Sequence, residues 1–213
     1  MEALWLQFVQ WLHSVGMHVD SGTAHDMAEG AKHMTASLDM PGMLALAAAL
    51  GWASGFRLYA VVFLVGGMGA LGWLPLPAGL TVLQNPIVLF VSGFLLVVEF
   101  FADKVPWIDS LWDSINAFIR VPAGALLAAG VFGADNASMA LAAGLMGGTL
   151  SATSLATKMT TRAAVNTSPE PFSNWSLSFL EDGLVVGAVW LATQHPIAFG
   201  FALLFVLIFS VVL

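Results

Sequence analysis

Long apolar runs, separated by short polar or proline-bearing links, set the pattern of this chain. Met43 to Trp73 and Gln194 to Leu213 are each long enough for a helix through a hydrocarbon layer about 30 Å thick. The run at 43–73 is the first span, and further runs fall at about 86–103, 121–134, 137–157, 176–193 and 196–213. They lack the short alternating segments of a membrane barrel, and in lipid the backbone's hydrogen-bonding requirement then leaves helices. The pattern predicts an all-α fold, a polytopic helical membrane protein of about six transmembrane helices. Ser54, Gly55 and Arg57 interrupt the first run, which reads as one helix or as two half-helices. The third span is short and opens at Pro122. The segment 72–86, with three prolines and a tryptophan, is a boundary loop, and 158–175 is a polar loop containing Pro169 and Pro171.

Two segments have helical periodicity without uniform greasiness. In residues 1–15, Leu4, Trp5, Phe8, Trp11, Leu12 and Val15 share one face, which predicts an amphipathic helix on the membrane surface or against the protein's own body. In 107–119, Trp107, Ile108, Leu111, Trp112, Ile115 and Phe118 form one apolar stripe, so this segment reads as a second interfacial helix. The expected organisation is a polar, amphipathic segment over 1–40 and a transmembrane domain over 41–213. The runs 44–54 and 139–149 share an Ala–Leu pattern. A three-plus-three internal repeat would produce it, as would shared composition alone.

Composition supports the class. Only 9% of residues are charged against 59% hydrophobic, where soluble domains carry about 25% charged residues. The absence of cysteine excludes disulfides, thiolate metal sites and thiol catalysis. The net charge of −7, without a basic patch, excludes nucleic acid as a partner; the bilayer is the expected one. Glu2 and the lack of a basic leader argue against a secretory signal. With six crossings, segments 1–40, 104–120 and 158–175 share a side. Lys32, Lys104, Arg120, Lys158 and Arg162 all fall there, and basic residues mark the cytoplasmic face. Both termini are expected in the cytoplasm.

The charges left inside the spans carry the candidate chemistry. A lone arginine at the bilayer centre costs about 2.5 to 3.5 kcal/mol even on lenient scales, so Arg57 needs a carboxylate, carbonyls or water. Glu99 and Asp103, four apart, share a helix face; Glu181 and Asp182 lie in the fifth span. Arg57, Glu99, Asp103, Glu181 and Asp182 are therefore expected to meet in the inner half of the membrane, with Lys104, Asn174, Ser178 and Ser154 as supporting polar groups. Such a set reads as an ion path, or as a structural ion-pair network. His25, Glu29 and His33, at i, i+4 and i+8, would share a face that could hold a divalent metal if helical; a solvated helix face is the plainer reading. Ser154 and Lys158, four apart, are a weak match to a serine–lysine nucleophile pair. Small-xxx-small pairs at Gly66/Ala70, Gly124/Ala128 and Gly144/Gly148 permit close helix packing or a homo-oligomer.

ASGFRLY (53–59), EFFADKVPWIDSLWDSI (99–115), VPAGALLAAG (121–130) and SPEPFSNWSLSFLEDG (168–183) resemble a bacterial inner-membrane family known as domain of unknown function 4126, over roughly 43–213. The resemblance implies a multi-span helical membrane protein and supplies no substrate, cofactor or catalytic residue. Glu99–Asp103–Lys104 is also similar to the Glu-x-Gly-Asp-Lys motif of manganese or calcium/proton exchangers, with one extra residue, no glycine and no following hydroxyl.

The expected function is a small secondary transporter or channel-like permease for an ion or small solute, proton-coupled if Glu99 and Asp182 carry protons against Arg57. A non-transporting scaffold or lipid-binding assembly factor is the alternative. No nucleophile, metal triad or cofactor loop has the spacing of an enzyme.

Overall fold

The computed structural model describes residues 38–166 and 171–212. The amphipathic stretch at 1–15 and His25, Glu29 and His33 lie outside these residues. Leu38–Leu213 form one compact unit. Its α-helices are α1 (Met40–Ala70), α2 (Pro86–Ala102), α3 (Pro106–Phe132), α4 (Ala137–Asn166), α5 (Pro171–Gln194) and α6 (Pro196–Val212), with 3-10 turns at Ala78–Gln84 and Ala134–Asn136. No strand occurs among the described residues.

The protein is all-α and built for a membrane. Four helical stretches are long and apolar enough to cross: Met40–Ala70, Ile108–Phe132, Ala137–Val165 and Ser173–Gln194. The 3-10 turn at Ala78–Gln84 and α2, bent by 68° from one another, would make a fifth together, while α6 is shorter. Large apolar side chains such as Phe90, Phe94, Phe118, Phe201 and Phe205 cover the outside.

α1 is the buried centre of the bundle, and it turns back on itself. Asp39 caps it by accepting from the Gly42 N–H at 2.9 Å, with Pro41 in the first turn. Arg57 then leaves helical geometry, at φ −146° and ψ 77°. The neighbours show what this does. Met43 lies with Phe132 and Gly133 at the end of α3, and Gly51 lies against Gly124. The first half, 40–56, therefore runs antiparallel to α3. After the break, Tyr59 meets Asn116 and Val62 lies with Leu126 and Leu127. The second half, 58–70, runs parallel to α3 and ends near Leu76 and Gln84. The first run is thus two half-helices, about 25 and 20 Å long at 1.5 Å per residue. The break falls at Arg57 rather than at Ser54–Gly55.

Close approach explains the glycines. A Cβ on Gly51 would overlap the Gly147 backbone, and one on Gly55 would overlap Ser154 Oγ and the Ser151 carbonyl. Of the small pairs, Gly66 faces the Leu83 carbonyl, Gly124 faces Ser151, and Gly144 and Gly148 face Ala129 and Ala125. All four serve internal packing.

Three expected boundaries are corrected. Residues 107–119 are not a separate interfacial helix, and 121–134 is not a separate span: α3 runs through Pro122 without a break. Beside the proline, Ser151 Oγ donates to the Arg120 carbonyl at 3.0 Å, the kind of neighbouring support that lets spans hold prolines. The polar loop at 158–175 is largely helix, since α4 continues to Asn166 and α5 begins at Pro171. The run 139–149 lies in α4, which has no break like that of α1. Finally, the described chain starts beside Phe132–Ala134, at the opposite end of the bundle from Lys104, whereas residues up to 40 were expected on Lys104's side.

Candidate intramembrane ionic site

Charged side chains from five helices converge where α1 breaks. α1 brings Arg57 and α2 brings Glu99, with Asp103 just past its end. α3 brings Asp109, Asp113 and Arg120, spaced by four and seven residues on one face. α4 brings Lys158 and Arg162, again four apart, and α5 brings Glu181 and Asp182. All but Asp182 are buried; its side chain is 31% exposed.

Arg57 Nη2 lies 2.7 Å from Asp103 Oδ2 and donates to Ser178 Oγ at 2.8 Å and to the Ser178 carbonyl at 3.2 Å. Its Nε lies 3.1 Å from Asp182 and 3.7 Å from Glu181. The length of one arginine thus bridges two neighbouring acids that point about 100° apart on their helix. Arg162 grips Glu181 with two bonds, Nε to Oε1 at 3.0 Å and Nη2 to Oε2 at 2.8 Å, the geometry that suits a guanidinium to a carboxylate. It also donates to the Asp103 carbonyl at 3.0 Å and lies 3.6 Å from Asp109. Lys158 Nζ stands 3.1 Å from Asp113, 3.6 Å from Glu181 and 3.9 Å from Asp103. Arg120 binds Asp113 at 2.7 Å and, on its other nitrogen, Glu99. The second oxygen of Glu99 has no hydrogen-bond partner.

The break itself is part of the site. Lys158 donates to the Phe56 carbonyl at 3.2 Å, at the C-terminal end of the first half-helix of α1. That end carries partial negative charge and favours a cation. Ser154 Oγ donates to the Trp52 carbonyl at 2.7 Å, so it pins the same half-helix to α4 and is not turned toward Lys158 as a nucleophile.

Four cations thus face five buried acids, with Asp182 as a sixth at the edge. With every group ionised the site is net negative, which favours a proton or a cation among these carboxylates. Asp103, Asp109 and Asp113 each bring an oxygen within 4.8 Å of the others, the donor set of a hard divalent cation. Arg57, Arg162, Lys158 and Arg120 already face these acids, so a metal there would compete with them.

The expected residues come together, with different pairings. Arg57, Glu99, Asp103, Glu181 and Asp182 lie in one network, but Arg57 and Glu99 do not pair; Asp103, Lys158, Asp113 and Arg120 lie between them in the chain of contacts. Ser178 serves Arg57 directly, and Asn174 is buried one turn earlier on the same face of α5. Lys104 stays outside the network, over the Phe100 ring. Sequence reasoning missed Asp109, Asp113, Arg120 and Arg162 as site residues. Their signal was spacing: 109, 113, 116 and 120 form a polar stripe opposite the apolar one, and 158 and 162 are four apart.

No curated protein and no solved structure is significantly similar to the chain. A family model described as domain of unknown function, DUF4126, matches residues 44–213, which include every residue of the ionic site. The chain therefore belongs to the DUF4126 family.

Proposed function

We propose that this protein is a small secondary transporter or channel-like permease, and that a proton or cation passes through the ionic site. One observation carries the reading: α1 breaks at Arg57 among buried charges, with more acids than cations around the break. Transporters place broken helices at their ion sites, because the half-helix ends and freed carbonyls help to hold the ion. Here the Phe56 carbonyl and the Lys158 ammonium meet at such an end. In this reading Asp182, partly exposed, is the way in. Glu99 is the innermost carrier, balanced by Arg120, and Arg57 balances Asp103 and Asp182. The site end faces the cytoplasm, because Lys104 lies there and the links 71–85, 133–136 and 195 hold no Lys or Arg. In this reading the membrane is the bacterial inner one.

The test is flux in liposomes that hold wild type, Arg57→Ala or Glu99→Gln. Wild type should carry protons or divalent cations, and each variant should lower that flux by about tenfold or more, the effect of ~1.4 kcal/mol on a barrier. Equal flux in all three removes the reading. The saturation of the site favours a second one: every cation in it already has an acid partner, as a purely structural clasp would. In that case the variants unfold more readily and wild type carries no flux.

A further inference from the structure

Among the described residues, Lys104 is the one lysine or arginine with no carboxylate within 4.0 Å. It stands just past α2, at the end of the bundle. Its ammonium donates to the Phe100 carbonyl at 3.0 Å and lies 3.1 Å from the centre of the Phe100 ring, with Phe179 and Trp175 at 5.3 and 5.9 Å. These groups rim a groove of about 1060 Å³ between α2 and the starts of α3 and α5. Below the rim the lining is apolar, and it follows α2 from Lys104 back to Val97. That is about 10 Å toward the bilayer middle at 1.5 Å per residue.

We propose that this groove binds an anionic phospholipid, with the phosphate on the Lys104 ammonium and an acyl chain in the apolar channel. The parts match in chemistry and in order along the membrane normal. An ammonium has three donors and Lys104 uses one on the Phe100 carbonyl, so two remain for phosphate oxygens. The rings hold the ammonium at the level where aromatic side chains meet headgroups. A groove open along a lipid-facing helix admits a chain from the side; Val97 and Phe101 on its wall are exposed. The site lies outside the ionic network and stands whether or not that network conducts.

The test uses brominated lipids, which quench nearby tryptophans. The protein is reconstituted in phosphatidylcholine with rising fractions of brominated phosphatidylglycerol or brominated phosphatidylcholine. Subtracting the signal of Trp175→Phe isolates Trp175 from the other tryptophans. Half-quenching of Trp175 should need about fivefold less of the anionic lipid, the preference that one basic residue gives near a membrane surface. Lys104→Gln should abolish the preference and Lys104→Arg should keep it. Val98→Phe, which narrows the groove without touching the charge, should weaken quenching by both lipids. Equal curves for the two lipids in wild type overturn the proposal. So does a preference that survives Lys104→Gln, or quenching that Val98→Phe leaves unchanged.

Discussion

Removing Arg120 should destabilise the protein mainly by stranding Glu99. Arg120 is fully buried and is the sole described cation within ion-pair distance of Glu99, which is buried too. Asp113 is less dependent on it, because Lys158 stands 3.1 Å away. Breaking a buried pair from one side costs about 3 to 5 kcal/mol, since the remaining charge has lost both water and partner. Arg120→Met should therefore shift the unfolding equilibrium by roughly 10² to 4 × 10³, at 1.4 kcal/mol per tenfold. Glu99→Gln alone removes the charge but leaves Arg120 bonded to Asp113, and should cost about 1 to 2 kcal/mol. The double variant should recover part of the loss, with a coupling energy of about 2 kcal/mol. Equilibrium unfolding in mixed micelles, followed by tryptophan fluorescence, gives all four corners of the cycle. Strictly additive losses, or an Arg120→Met variant within about 0.5 kcal/mol of wild type, would refute the reasoning.

Two further predictions come from packing. Gly55→Ala should cost about 1 to 3 kcal/mol, since its methyl group would overlap Ser154 and the Ser151 backbone; Gly187→Ala, which meets nothing within 4 Å, should be neutral or slightly stabilising in the same melts.

Much of the fold was legible because apolar run length is a direct signal of a spanning helix. The errors share a cause. Charges were taken to end a span, which holds only for charges that reach water. Lys158 and Arg162 ended the fourth span on paper, yet α4 carries both inward to meet Asp113 and Glu181. The same assumption turned 107–119 inside out. Ile108, Leu111, Ile115 and Phe118 do face outward to lipid, but the opposite stripe of Asp109, Asp113 and Asn116 faces the protein's centre rather than the aqueous side. Three of the five basic residues that point to the cytoplasmic side are buried network members, so the charge asymmetry between the two ends is smaller than the sequence suggests. The need of Arg57 for partners was readable from its apolar surroundings; which acids met it was not, since pairing depends on how helices distant in sequence cross. Ser54 and Gly55 signalled an interruption, but the reversal of direction at Arg57 is visible only from the neighbours on α3.

That reversal is what puts Arg57 and the Phe56 carbonyl into the ionic site, and it can be tested without any substrate. The chain has no cysteine, so single cysteines at Met40, Leu71 and Val105, all exposed, can be labelled cleanly in sealed vesicles of known orientation. A membrane-impermeant maleimide should reach Met40→Cys and Leu71→Cys from the same side and Val105→Cys from the other. Labelling of Met40→Cys and Leu71→Cys from opposite sides would mean that α1 passes straight through, and would contradict the account.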